Sequence, residues 1–220
     1  ICIAIPTTSN GREWNKIEDS YLYKSINIFN LYKNIYHINI FISYDYDDKL
    51  YSKDIERDKL QKKYPDLNIK WFSNNFEKGD VVSHWNFLYY MAVKNHCKYT
   101  LLIGDDIIYP NNNKWLTDFI NSLKKNNDIG ISGGYSKQPF MTQFLLSDIH
   151  YQIFGYAFHP EIKNWSCDNY LFELYPGKYI NFFKNYFLDN AGGGERYIPN
   201  NADNYKELVK EDKLKLKNLI

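Results

Sequence analysis

The chain has 220 residues, 44% of them hydrophobic and 24% charged, an ordinary globular composition with enough length to bury a core. Lys and Arg total 27 against 26 Asp and Glu, a formal charge of +1, which excludes the basic face of a dedicated nucleic-acid binder. No apolar run approaches the roughly 20 residues that cross a bilayer, so no membrane span is expected in this segment. The chain opens on an apolar run without a starting Met, as a domain cut from a longer chain would.

Residues 1–6 read as a buried strand ending at Pro6, followed by the polar loop Thr7-Thr8-Ser9-Asn10-Gly11-Arg12. Apolar spacing predicts a helix over 18–32. A strand over 38–42 runs into the acidic stretch Asp45-Tyr46-Asp47-Asp48. A charged helix over 53–63, a strand over 69–72 and a strong helix over 81–95 come next. The apolar strand 99–103 ends in Gly104-Asp105-Asp106. Beyond it we expect a helix over 114–125, a strand over 129–132, strands within 144–158, a helix over 169–175 and a charged helix over 206–217. Strands alternating with helices predict an α/β fold with a mostly parallel sheet flanked by helices. One domain over 1–220 is the economical organisation, with residues 1–110 forming a nucleotide half and 111–220 an acceptor-side half.

Open α/β sheets bind ligands beyond the carboxyl ends of their strands. Three polar clusters fall at such ends: Thr7-Thr8-Ser9, the run from Asp45 to Asp48, and Asp105-Asp106. A parallel sheet would bring all three to one edge. Consecutive carboxylates there suit a hard divalent cation, Mn²⁺ or Mg²⁺, which takes oxygen ligands and shares them with substrate phosphates. In isolation, Asp-Asp at the end of a strand is equally a solvated turn.

The strand followed by Gly104-Asp105-Asp106 resembles the DxD element of the GT-A glycosyltransferases, in the variant form found in large DNA viruses and protists. That resemblance implies that Asp106 binds the metal and that Asp105 contacts the donor or shares the metal. Gly104 stands where a strict D-x-D has its first carboxylate. The resemblance further implies a nucleotide-binding role for Pro6, Thr7, Thr8, Ser9 and Arg12. It gives Asp45 the base N–H and sets Asn86, on the helix before the DxD strand, in the nucleotide pocket. The expected donor is a nucleotide sugar, UDP by default, and the acceptor is a glycan, a protein or a small molecule.

In the second half, Asn164-Trp165-Ser166-Cys167-Asp168 leads into a helix. In inverting GT-A enzymes a carboxylate here is the general base, and we assign that role to Asp168. A plain helix cap is the competing reading, and capping bonds would lower its pKa and weaken it as a base. The Gly-rich run before Arg196 suggests a closing loop with Arg196 on the donor phosphates, or a simple surface turn.

Two rivals share this fold class. A sugar nucleotidyltransferase would carry a glycine run in its first loop, which residues 7–12 lack, and a degenerate GT-A domain would bind sugar or partner without turnover. A dinucleotide oxidoreductase fits less well, because no GxGxxG follows the first strand. The odd, widely spaced Cys2, Cys97 and Cys167 fit reduced thiols, and the sequon at Asn164 adjoins the expected base. Both favour the cytoplasm, with a Golgi-type lumen left open.

Overall fold

The computed structural model describes residues 1–192 and 198–217. Its first half holds β1 (Cys2–Pro6), α1 (Tyr21–Ser25), β2 (Asn39–Asp45), α2 (Asp54–Lys63), β3 (Asn68–Asn74), α3 (Val81–Lys94) and β4 (Tyr99–Leu102). The second half holds β5 (Ile107–Ile108), α4 (Trp115–Lys125), β6 (Ile131–Tyr135), β7 (Phe144–Ser147), α5 (Asp148–Phe154), α6 (Cys167–Leu174), β8 (Ile180–Phe187), β9 (Asp189–Asn190) and α7 (Tyr205–Lys217). The main sheet has the order β3-β2-β1-β4-β7-β6-β8. β1 pairs in parallel with β2 and β4, and β2 with β3; β7 runs antiparallel to β4 and β6. A short ribbon joins β5 to β9.

The central strands are apolar on both faces because each face carries helices. In β1, Ile3 and Ile5 enter a core with Trp115 and Phe119 of α4, while Cys2 and Ala4 enter the opposite core with Leu88 and Tyr89 of α3. This two-residue alternation sets the register with β2, Ile3 opposite Ile40 and Ile5 opposite Ile42. At the edge, the β6–β8 pair closes so tightly that a Cβ on Gly134 would stand 2.2 Å from the Tyr186 carbonyl oxygen, so only glycine fits.

Two predicted elements differ. The helix expected over 18–32 is three pieces: a 3₁₀ turn Ile17–Asp19, α1, and a 3₁₀ stretch Ile26–Tyr32. Ser20 ends the first piece and caps the second, accepting the Tyr23 N–H at 3.1 Å. β-Branched Ile26 and Ile28 and the side chains of Asn27 and Asn30 then disfavour α geometry. Within 144–158 only β7 is a strand. Ser147 turns the chain, its hydroxyl accepting from Ile149 N at 3.2 Å, and α5 follows until Gly155 closes it at φ 81°. No strand was expected where β8 and β9 lie.

Candidate functional site

Because β1, β2 and β4 are parallel, their carboxyl ends meet at one edge. β1 hands over Pro6 and Thr7, and Thr7 N donates to the Ser43 carbonyl of β2 at 2.9 Å. The loop that follows is built around the buried Asp48. Its carboxylate accepts from Ser9 N (2.6 Å), Ser9 Oγ (2.7 Å), Thr8 Oγ1 (3.2 Å), Leu50 N (2.9 Å) and Tyr51 N (2.8 Å). Thr8 and Ser9 thus spend their polar atoms on shaping the loop. Beside it opens a cleft of about 780 Å³ walled by Pro6, Thr7, Thr8 and Asp45 on one side, and by Lys78, His84 and Asn164 on the other. That volume suits a small ligand of nucleotide size.

Asp45, the last residue of β2, is held from both sides. His84 Nε2 stands 3.3 Å from Oδ1 and Lys78 Nζ 3.2 Å from Oδ2. Asn74 Nδ2 donates to Ser43 Oγ at 2.8 Å, and Ser43 Oγ lies 2.5 Å from His84 Nδ1. Ser43 thus links Asn74 to one ring nitrogen of His84, while the other faces Asp45. Burial alone would raise the Asp45 pKa. The hydrogen bonds and charges of His84 and Lys78 outweigh it and hold the carboxyl below its ordinary value.

Asp105 and Asp106 follow the end of β4. Asp105 is buried, and Thr7 Oγ1 donates to its Oδ2 at 2.7 Å, so the cleft wall and the carboxylate pair are joined by one hydrogen bond. Asp106 lies outside the large cleft. It lines a second cavity of about 420 Å³ under the 3₁₀ stretch, and its carbonyl accepts from Ala191 N at 2.6 Å. Gln143 braces the turn, with Gly104 N donating to Oε1 at 3.0 Å while its Nε2 donates to Asn190 Oδ1 at 3.2 Å. Among the described residues no group of three or more His, Cys, Asp or Glu side chains could hold a metal. Two adjacent carboxylates fit a hard cation that completes its shell with phosphate oxygens and water.

Asp168 is not the helix cap. Ser166 occupies the cap position in the left-handed region at φ 73°, making no side-chain capping bond, and Asp168 sits in the first turn of α6. The expected lowering of its pKa is therefore reversed: desolvation pushes it up to about 7, against a small opposing contribution from the Cys167 thiol at 3.7 Å. Asp168 does not line the cleft, though Asn164, just before it, does. Asn86 does not line it either. Its Oδ1 accepts from Ala157 N and Phe158 N, both at 2.9 Å, and its Nδ2 donates to the Phe158 carbonyl at 2.8 Å. Arg12 lies over the rings of Trp14 and Tyr21, at 5.6 and 5.5 Å. Arg196 lies outside the described residues.

The sequence reading missed most of the cleft wall, His84, Lys78 and Asn164 among it. His84 and Lys78 gave no motif, being marked only by their place at the start of α3. Asn164 was read as a sequon, yet it is 4% exposed and its amide is engaged. Nδ2 donates to the Gly79 carbonyl (2.9 Å), and Oδ1 accepts from Trp165 N (2.6 Å) and Asn200 N (2.8 Å). In the folded chain that amide is closed to glycosylation, so the sequon carries no argument about compartment. No described helix is long and apolar enough to cross a membrane.

This sheet, mostly parallel and flanked by helices, has the GT-A arrangement, the fold of the nucleotide-diphospho-sugar transferases. The chain superposes on a mannosyltransferase from Pyrobaculum calidifontis in complex with GDP-Man and Mn²⁺, with TM-score 0.62 and 10% identity over 97% of this chain and 61% of that one. GalNAc-T7 with UDP, GalNAc and Mn²⁺ matches with TM-score 0.56 and 10% identity, over 95% of this chain and 47% of its own. A cytidylyltransferase from Leptospira borgpetersenii matches with TM-score 0.52 and 11% identity, over 100% and 97%. The chain thus spans less than two thirds of the length of either glycosyltransferase. At such identities the likeness is one of fold, and function must be argued from the site. No protein-family model matches the sequence, and no curated protein matches it.

Proposed function

We propose that the chain is a glycosyltransferase that moves a sugar from a UDP-sugar donor to an acceptor hydroxyl, with inversion. The observation that carries this reading is the Thr7–Asp105 hydrogen bond, which joins a nucleotide-sized cleft to a carboxylate pair at the sheet edge. In the cleft, Asp45 accepts the uracil N3–H, His84 holds that carboxylate in place, and the Lys78 ammonium beside it faces a ring carbonyl. Cytosine offers an acceptor at N3, which an anionic Asp45 repels. Pro6, Thr7 and Thr8 line the approach to the phosphates, while Ser9 keeps the loop in shape. Arg12 and Arg196 are the candidate phosphate cations.

A divalent cation, Mn²⁺ or Mg²⁺, held by Asp106 and Asp105 with the donor phosphates, would neutralise the diphosphate leaving group. Asp168 takes the proton from the acceptor hydroxyl, and a pKa of about 7 suits a general base at neutral pH. Three buried free thiols favour a reducing compartment such as the cytoplasm.

Calorimetric titration of UDP, GDP and CDP, each with and without Mn²⁺, tests the reading. UDP should bind in a metal-dependent manner, and Asp106→Asn should weaken that binding by about 10²-fold or more, on the scale of losing a charged ligand, with Tm retained. Unchanged metal-dependent binding in the variant would overturn the assignment. The cytidylyltransferase likeness, which covers 97% of that chain, keeps nucleotidyl transfer as the second reading. Release of pyrophosphate from a nucleoside triphosphate and a sugar phosphate would decide for it.

A further inference from the structure

The five tryptophans divide four to one. Trp14 packs its ring on Tyr21, Trp71 on Tyr44 and Tyr51, Trp85 on Phe158, and Trp115 on Tyr32, Tyr109 and Phe119. Trp165 is 48% exposed, and among the described residues its indole has no ring partner. Isolated exposed apolar residues are ordinary, so exposure alone is not the argument. Three further features set Trp165 apart.

Its backbone is pinned to the cleft. Trp165 N and Asn200 N donate to the same Asn164 oxygen, and both Asn164 and Asn200 line the cleft wall. Ser166 follows at φ 73°, an unfavourable conformation for a residue with a Cβ, of a kind retained where a turn must be aimed. The same rigid turn leads directly to Asp168. A second apolar side chain, Ile198, is 88% exposed on the same cleft wall. A large flat side chain, half exposed, therefore follows directly on a residue of the cleft wall, on the segment that carries the proposed base.

We propose that Trp165 is the stacking platform for a carbohydrate acceptor. An indole presents an apolar face to the C–H side of a sugar ring and an N–H to its hydroxyls. A carbohydrate stacked there would direct a hydroxyl toward Asp168 and the donor. This inference rests on the transferase reading and narrows its acceptor from glycan, protein or small molecule to a glycan.

Labelling the tryptophans with ¹⁵N gives five indole signals, and Trp165→Phe identifies the one that matters. Methyl glycosides of glucose, galactose, mannose and N-acetylglucosamine are then titrated with and without UDP and Mn²⁺. The expected result is movement of the Trp165 signal by at least one glycoside. Its affinity should fall roughly tenfold or more in Trp165→Ala, the scale of losing an aromatic anchor, and be largely kept in Trp165→Phe. UDP affinity should be the same in all three proteins. A Trp165 signal unmoved by every glycoside while UDP binds overturns the acceptor platform and leaves the transferase reading intact. Equal glycoside affinity in Trp165→Ala overturns it as well. Failure of UDP to bind strikes the transferase reading instead, and a glycoside-induced shift at Trp165 would still support carbohydrate binding there.

Discussion

The proposed nucleotide side and the proposed acceptor side each present an aspartate, and their surroundings drive them in opposite directions. Asp45 ends a strand between Lys78 and His84 and is held below the ordinary carboxyl pKa despite its burial. Asp168 opens a helix with a thiol as its near partner, and desolvation lifts it to about 7. Charge partners near a carboxylate keep it permanently anionic; burial without them makes it exchange protons. The first condition suits a fixed hydrogen-bond acceptor and the second a base, so the environment separates two roles that the residue type cannot.

The largest effect that would break this contrast is at Asp168. Asp168→Asn should lower transfer by about 10²-fold or more while leaving UDP affinity unchanged, as single-turnover rates and calorimetry would show. Wild-type transfer should rise with pH through about 7, following the deprotonated form, and the variant should lose that rise. Stability should move the other way. The native state holds the Asp168 proton more tightly than the unfolded chain does. Stability therefore falls as pH climbs from the ordinary carboxyl range through about 7. At pH 8 the Asn variant should therefore be the more stable of the two, with a higher Tm, and the difference should vanish in acid. A variant that transfers normally would reduce Asp168 to a structural residue.

A smaller effect belongs to Asp45. Asp45→Asn should weaken UDP about tenfold, the usual worth of a hydrogen bond to a charged group. It should also admit CDP, since an amide can offer either an oxygen or an N–H to the base edge. The sign of its pH linkage is opposite to that of Asp168. Its stabilising contribution is present above the ordinary carboxyl pKa and lost as pH falls through the depressed one, so the variant should lose stability at neutral pH and match the wild type in acid. UDP and CDP titrations beside Tm measured across pH would show both.

The parts of this contrast that could be read beforehand follow from local pattern. β1, β2 and β4 are short apolar runs ending in polar residues, and parallel pairing carries those ends to one edge without further information. Asp45 and the Asp105-Asp106 pair were visible on that basis. His84, Lys78 and Asn164 were not, because their roles arise from partners distant in sequence: Ser43 and Asp45 for His84, Gly79 and Asn200 for Asn164. The direction of the Asp168 shift was misread for a similar reason. A capping role was inferred from its place near a helix start, whereas the actual cap, Ser166, holds a backbone conformation that no local pattern announced. β8 escaped because its half-buried edge position leaves Ile180 to Phe187 without clear alternation.

The smallest effect tests why Gly104 stands where a strict D-x-D has a carboxylate. Its φ is not in the left-handed region, so backbone strain does not demand glycine. Space is tight without being closed: a Cβ here would lie 3.2 Å from Asp106 Oδ1, which would have to give by a few tenths of an ångström, and 3.5 Å from Ile107 Cδ1, an ordinary contact. Gly104→Ala should fold normally and displace the Asp106 carboxylate slightly, weakening metal-dependent UDP binding by about three- to fivefold, since a displacement of about half an ångström is enough to degrade a site. Gly104→Asp should weaken it further rather than add a ligand, because the stem of the new side chain meets Asp106 and Asn190 Oδ1 before its carboxylate can reach a shared cation. Tighter Mn²⁺-dependent binding in Gly104→Asp would show the opposite, that the turn has room for a third carboxylate and that two suffice by chemistry rather than by packing.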